Sequence, residues 1–370
     1  MNTRLEVDRA RAVRAGQELD AGALAAFLAA EVPEFATRSG GALRVEQFGG
    51  GYSNLTYLLR GGEGPDAPEL VLRKAPLGAP GGVAHDMERE YRILRGLHPV
   101  YGRVPRPLAF CGDAAVPGAP FYVMERVGGI ILRGRPDEVA ALSDADARGL
   151  SETLVDALAD IHQVDWRAAG LADLDRGPGY AARGITGWIK RYHAARTDDV
   201  PPLEAAIAWL QARVADGAAP DHGPSLVHND FKFDNLVLDP VDPSRILAVL
   251  DWEMATIGDP LLDLGTTLGY WVDADDPEAL RRIVPPTMSA HPGSLRRAEV
   301  VARYQARTGA DIPDPVLLYL YGLVKVAGIA QQIYARHLAG KAPDPRFAAL
   351  GHVVRGLGVA AAAAIDRNAV

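Results

Sequence analysis

Two short apolar runs in this chain, LV (226–227) and ILAVL (246–250), each break off into acidic and amide side chains. The first runs into HNDFKFDN (228–235), the second into DWE (251–253). Runs this short, rich in Val, Ile and Leu and bounded by polar residues, read as buried strands. A buried strand that opens directly into several polar groups delivers them to a surface, and turns at strand ends are where ligands are met. HNDFKFDN alone is also what a turn would look like if its Asp and Asn capped backbone amides. Asp251, 21 positions after Asp230 and at a strand end of its own, weakens that explanation, because two such ends can converge on one ligand.

Phosphoryl transfer asks for what such a pair supplies. One carboxylate orients an attacking hydroxyl and accepts its proton; a further carboxylate and a carboxamide oxygen hold magnesium against nucleotide phosphates. Magnesium takes hard oxygen ligands and keeps several waters, so one or two side chains suffice. Asp230 suits the first role and Asn235 with Asp251 the second, leaving His228 as a brace for the loop. The pattern H-x-D-x-x-x-x-N, followed by an Asp ending an apolar strand, resembles the kinase catalytic loop and its metal-binding Asp. With GDPLLDLG (258–265) the chain resembles the aminoglycoside phosphotransferase and choline kinase superfamily, and in particular the kinase-like domain fused to some acyl-CoA dehydrogenases. The likeness covers residues 25–340.

That resemblance implies an α+β, two-lobed protein-kinase-like fold, with a small β-rich N-lobe over 1–126 and a larger, mainly helical C-lobe over 127–370. It implies ATP, with GTP an open alternative, and Mg2+ as cofactors. Asp230 is then the catalytic base, Lys232 a phosphate-contacting catalytic residue, and Asn235 and Asp251 the metal ligands. The chain also departs from the protein kinases. Asp251 is followed by Trp252 and Glu253 rather than Phe-Gly, and no Ala-Pro-Glu segment closes an activation loop. A small-molecule hydroxyl acceptor is expected in place of a protein.

The pattern along the chain points the same way. A helix is predicted over 20–31 with Asp20 as N-cap, then strands over 43–49, 55–60 and 69–76, a helix over 84–97, and strands over 107–111 and 120–126. Helices follow over 147–164, 187–197 and 203–214. Short strands over 225–230, 235–239 and 246–253 come next, and the remainder is helical, notably 315–340. Strands and helices do not alternate regularly, so the class is α+β rather than a doubly wound sheet.

Between the first two strands lies FGGGYSN (48–54), either a plain hairpin turn or a loop whose bare backbone lies over phosphates. In the second case Gly50, Gly51, Ser53 and Asn54 take part. In VLRKAP the phosphate-pairing cation is Arg73 or Lys74. Alternation puts only one of them on the nucleotide side, and Arg73 is favoured because its guanidinium suits bidentate contacts. Its carboxylate partner is expected to be Glu90, with Glu88 as the alternative. FYVMERVGG resembles the hinge between lobes, where backbone groups near Glu125 and Val127 would meet the purine edge. Asp259 before Pro260 reads as a helix N-cap, Asp263 as a brace on the catalytic loop, and His162 as a packed helix residue. Trp188, Tyr192, Lys325 and Arg336 are either acceptor-pocket residues or ordinary core and surface positions.

Composition removes other classes. The chain has 370 residues, 48% hydrophobic and 23% charged, as in ordinary globular proteins. A net charge of −8 argues against a broad grip on nucleic acid. Cys111 is alone, so no intrachain disulfide forms. The first residues lack the apolar core of a signal peptide. The alanine-rich tail near 357–365 reads as too short and too weakly apolar for a membrane span. A cytoplasmic protein with no membrane or nucleic-acid partner is expected; the oligomeric state is unknown. A kinase-shaped protein that binds a nucleotide or ligand without catalysis is the competing class, favoured by Arg73 in a lysine position and opposed by Asp230, Asn235 and Asp251. The acceptor stays open among aminoglycosides, choline-like compounds, sugars and hydroxyacyl-CoA thioesters.

Overall fold

Period-two alternation builds the first lobe. The computed structural model describes residues 7–49, 54–76, 85–113, 118–273, 276–283, 287–342 and 344–370. Two helices, α1 (Ala21–Glu31) and α2 (Pro33–Ser39), precede strands β1 (Arg44–Gln47), β2 (Leu55–Arg60) and β3 (Glu69–Lys74). Helix α3 (Met87–Tyr101) and strands β4 (Pro107–Cys111) and β5 (Phe121–Glu125) complete the lobe. The sheet is antiparallel throughout, in the order β1-β2-β3-β5-β4. Leu70 and Leu72 of β3 face α1 and α2 with Leu24, Leu28 and Phe35. Val71 faces the other way, toward Ile93 and Leu94 of α3. The same parity sends Arg73 to the α3 side and Lys74 to the side of Phe121. Asp20 caps α1 by accepting from Ala23 N–H, and Asp86 caps α3 by accepting from Arg89 N–H.

The second lobe is mainly helical. It comprises α4 (Pro136–Ala140), α5 (Asp144–His162), α6 (Tyr180–Ala195), α7 (Pro201–Ala215), four short strands, then α8 (Pro260–Tyr270), α9 (Glu278–Ile283), α10 (Arg297–Thr308), α11 (Pro315–Leu338) and α12 (Leu350–Arg367). The strands are β6 (Ser225–Val227), β7 (Leu236–Leu238), β8 (Ile246–Val249) and β9 (Thr256–Gly258); β6 pairs with β9 and β7 with β8. Two sequence-based extents are corrected here. The strand predicted over 225–230 stops at Val227, and the one over 246–253 stops at Val249. Asn229 (φ 66°) and Asp251 (φ 67°) both take left-handed backbone, which no strand accommodates. The strand β9 lacks a sequence signal of its own. Ile130 exchanges two backbone hydrogen bonds with Leu238, 2.9 and 2.8 Å, joining the stretch after β5 to β7.

Helix α11 is the spine of this lobe. By length and composition it and Pro345–Arg367 would each reach across a bilayer, but α11 is sheathed by α6, α8 and α12, which accounts for its apolar surface. The terminal helix is longer than the alanine-rich tail suggests, and it rests on α7 and α11. Where α8 crosses α11 the backbones nearly touch. A Cβ placed on Gly322 would lie 1.9 Å from Gly265 O, and one on Gly269 would lie 2.5 Å from the Gly322 carbonyl carbon. We expect Gly322→Ala to destabilise the protein by about 1–3 kcal/mol through overpacking. Urea denaturation measures this, and an unchanged midpoint would contradict the close crossing.

Candidate active site

Helix α8 anchors the loop over residues 228–235. Asp259 caps it, Oδ1 accepting from Leu261 N–H (2.9 Å), and also accepts from His222 N–H (2.7 Å). One turn later Asp263 is fully buried. Its Oδ2 accepts from His228 N–H (2.6 Å) and its Oδ1 from Asn229 N–H (2.7 Å), while His162 Nε2 lies 3.2 Å away. Burial alone would raise this carboxyl, but the His162 hydrogen bond, with His162, His228 and Lys325 nearby, carries it below its ordinary value. Thr267 donates to Phe231 O from the same helix (3.0 Å). His228 Nδ1 accepts from Asp230 N–H (3.3 Å), so the ring proton sits on Nε2, which donates to Leu250 O (2.9 Å). One imidazole thereby connects the two acidic strand ends.

Asp230 uses both oxygens. Oδ1 accepts from Tyr270 OH (2.7 Å); Oδ2 accepts from Lys232 Nζ (2.9 Å) and Asn235 Nδ2 (3.1 Å). Lys232 also stands 4.7 Å from the centre of the Tyr270 ring. Asn235 Nδ2 donates in addition to Asp230 O (2.8 Å), so the carboxamide nitrogen is spent and its oxygen remains to face a cation. The Leu250 N–H bond to Asn235 O (2.8 Å) continues the β7–β8 pairing and sets Asp251 beside Asn235.

From the N-lobe, Arg73 reaches the same place. Its guanidinium lies 2.7 Å from Asp251 Oδ1, 3.2 Å from Glu253 Oε2 and 3.4 Å from Glu90 Oε2. Glu88 is exposed on the far side of α3. One cation faces three carboxylates. Burial would lower the Arg73 pKa, but Glu90 and Asp251 drive it well up, so it stays charged. Burial raises Glu90, with Arg73 opposing; Asp251 is lowered despite its burial, chiefly by Arg73. Asn54 Nδ2 donates to Glu253 Oε2 (2.6 Å). Arg89 of α3 donates to Glu253 O (2.9 Å) and to Ala255 O.

Between the lobes lies a cleft of about 940 Å³, its open mouth included, walled by Arg73, Glu90, Glu125, Val127, Asn235 and Asp251. Glu125 N–H is already bonded to Arg106 O (2.9 Å), while Val127 has no backbone hydrogen bond among the described residues. Gly50, Gly51 and Ser53 lie outside the described residues. Asp230 and Lys232 sit beside this cleft rather than on its wall. Of the residues left open between acceptor pocket and core, Tyr192 and Lys325 take the core reading: they are 0% and 1% exposed, packed inside the helical lobe. Trp188 is half-buried, with Arg191 4.7 Å over its ring.

The residues present fit magnesium and a polyphosphate. The donors are hard oxygens of Asp251 and Asn235, and the carboxylate surplus around Arg73 favours a further cation. Arg73 Nε and Glu90 Oε2 are buried as an ion pair 3.4 Å apart, outside hydrogen-bond geometry. Among the described residues no group of three or more His, Cys, Asp or Glu is arranged to hold a metal; magnesium bound here would draw its other ligands from water and phosphate. Sequence reasoning missed the roles of Glu253, Arg89, Asn229 and Tyr270. Glu253 had a signal, a charge inside an apolar run. Tyr270, two helical turns after Asp263, had none.

A family model for the phosphotransferase enzyme family matches residues 44–285. The chain is 35% identical over 339 residues to acyl-CoA dehydrogenase family member 11 of Gallus gallus, covering 89% of this chain but only 41% of that protein. Among solved structures, a Ralstonia eutropha protein provisionally classed as an aminoglycoside phosphotransferase superposes with a TM-score of 0.74 at 31% identity, over 95% of this chain and 99% of that one. A thermostable mutant of aminoglycoside phosphotransferase APH(4)-Ia, in ternary complex with ADP and hygromycin B, shares the fold at 17% identity and a TM-score of 0.53, over 90% and 99% of the two chains. With the family match spanning both acidic strand ends, the sheet and the cleft, this chain belongs to the phosphotransferase enzyme family.

Proposed function

We propose that the chain is an ATP-dependent small-molecule kinase that transfers a phosphoryl group to a hydroxyl of a metabolite, with residues 1–126 and 127–370 as its lobes. The observation that carries this is that Asn235 and Asp251 both stand on the wall of the cleft that Arg73 also reaches, with Leu250 N–H bonded to Asn235 O just before Asp251. Asn235 and Asp251 would hold Mg2+, and Arg73, backed by Glu90, would meet phosphate oxygens. Val127 and the carbonyl of Glu125 would meet the purine edge, with Asn54 supporting the turn above the phosphates. MgATP supplies the phosphoryl group and neutralises its charge when bound. Asp230 orients the acceptor hydroxyl and takes its proton, with Lys232 contacting the transferred group. For a loose transition state this positioning counts for more than base strength. The ADP and hygromycin B in the APH(4)-Ia complex belong to that protein; they support a nucleotide and a hydroxylated acceptor here.

A binding protein without turnover is the second reading. It is favoured by the occupation of both Asp230 oxygens and of Asp251 Oδ1 by neighbouring side chains. ATP consumption measured with aminoglycosides, choline, sugars and hydroxyacyl-CoA thioesters separates the two. MgATP binding with no acceptor-dependent consumption would leave the binding protein.

Asp230→Asn should keep nucleotide affinity and lose about 10²–10⁴-fold in turnover, whereas Asp251→Ala should lose both metal-dependent binding and turnover. Titration calorimetry with steady-state assays measures both, and an active Asp230→Asn enzyme would end the assignment. Arg73→Met leaves two buried carboxylates, Glu90 and Glu253, and the half-buried Asp251 without their cation and should cost about 3–5 kcal/mol near pH 8. Burial holds the Glu90 pKa above its ordinary value, so the folded state keeps a proton that the unfolded chain has released. That contribution is present in acid and is lost as pH rises through the folded value. The variant should therefore lose less stability at pH 5 than at pH 8, as read by urea denaturation; equal losses would contradict the cluster.

A further inference from the structure

Lys325, near the middle of α11, is 1% exposed. Its Nζ donates to Asn229 O (2.7 Å), Thr266 Oγ1 (3.0 Å) and Asn229 Oδ1 (3.3 Å), three acceptors for the three N–H bonds of an ammonium. Burying a cation in a helical core costs several kcal/mol that an apolar side chain would not, yet two of its three bonds go to a single residue. That residue is the left-handed Asn229, which immediately precedes Asp230. Asp263 takes the Asn229 N–H, and Asn229 Nδ2 donates to Tyr180 OH (3.2 Å) and Met254 O (3.2 Å). The Asn229 carbonyl belongs to the same peptide plane as the Asp230 N–H that bonds His228. A carboxylate therefore grips the loop on one side of this residue and an ammonium on the other.

We propose that Lys325 is a positioning residue, whose ammonium holds the Asn229–Asp230 peptide and through it the Asp230 carboxylate in the orientation used for phosphoryl transfer. The proposal rests on the kinase reading above for its consequence in turnover, but not for the geometry it predicts. The titratable groups around Lys325 are Asp263 on α8, Asp230 and Lys232 on the loop, Tyr180 and Arg191 on α6, and Tyr321 on α11. Burial pulls the ammonium down to about 8; Asp263 and Asp230 oppose that, while Arg191 and Lys232 add to it. As pH rises through that value the side chain loses a proton, leaving two N–H bonds for three acceptors, so the grip is complete below it and weakens above it.

The test uses the full chain as wild type, Lys325→Met and Lys325→Arg. Turnover is read as ADP formed from MgATP with the same acceptor panel between pH 6.5 and 9.5, alongside ADP affinity and crystal structures of wild type and Lys325→Met. Lys325→Met should bind ADP as wild type does, lose about 100-fold in turnover at pH 7, and lack a fall near pH 8 that wild type shows. Lys325→Arg should keep turnover and move that fall to higher pH. In the Lys325→Met crystal, Asn229 should leave the left-handed region or Asp230 should part from Tyr270. Wild-type turnover in Lys325→Met, or an unchanged loop in its crystal, would overturn the proposal. Should that variant not fold, wild-type crystals at pH 7 and pH 9.5 decide it: a displaced Asn229–Asp230 peptide supports it and an unmoved one overturns it. Should wild type form no ADP with any of those acceptors, the kinase reading falls while the same crystals still decide whether Lys325 holds the loop.

Discussion

The loop that carries Asp230 depends on one carboxylate that water does not reach. Asp263 accepts the N–H groups of His228 and Asn229 and sits beside the His162 ring. An ionised carboxylate in such a place costs several kcal/mol to desolvate, which these three neighbours offset. Without it, two successive backbone donors would be left buried, each worth about 1–3 kcal/mol in lost hydrogen bonding. Asn229 could not then hold its left-handed turn, and Asp230 would lose its fixed direction. The close crossing at Gly265, Gly269 and Gly322 belongs to the same arrangement, because it sets α8, with Asp263, against α11.

Arg73 couples the lobes in a comparable way. It lies between Glu90 on α3 and the pair Asp251 and Glu253 from beyond β8. Arg89 ties the same helix to the carbonyls of Glu253 and Ala255. Helix α3, the third strand and the acidic turn therefore form one connected unit. A lysine could serve one carboxylate as a point charge, whereas the planar guanidinium reaches several at once. Glu253, two residues after Asp251, is thus a partner that the arginine has the geometry to use.

Much of the fold was legible because its causes are local. Alternation in ELVLRK sorts Arg73 from Lys74 by parity, and both strand neighbours follow that parity. Asp20 and Asp259 stand where caps are needed, and Pro260 follows its cap directly; the cap at Asp86 starts α3 at Met87, later than the expected 84. The strand ends were less legible, since Asn229 and Asp251 turn left-handed, a backbone that Asn and Asp tolerate better than other side chains but adopt at few of their positions. No periodicity announces that conformation; it persists because partners elsewhere hold it.

Sequence by itself determined the α+β class, the order of the main elements, the helix starts at Asp20 and Asp259 and the presence of two acidic strand ends 21 residues apart. Hydrogen-bond chemistry and residue periods act over a few positions, so neighbours in the chain suffice to specify them. Tertiary structure alone decided which charges meet. Asn54 finds Glu253 from 199 positions away, Arg73 finds Asp251 from 178, and Lys325 finds Asn229 from 96. Such pairs are selected by the packing of whole helices and sheets, and the energy that holds them belongs to a buried environment that no short stretch of sequence contains.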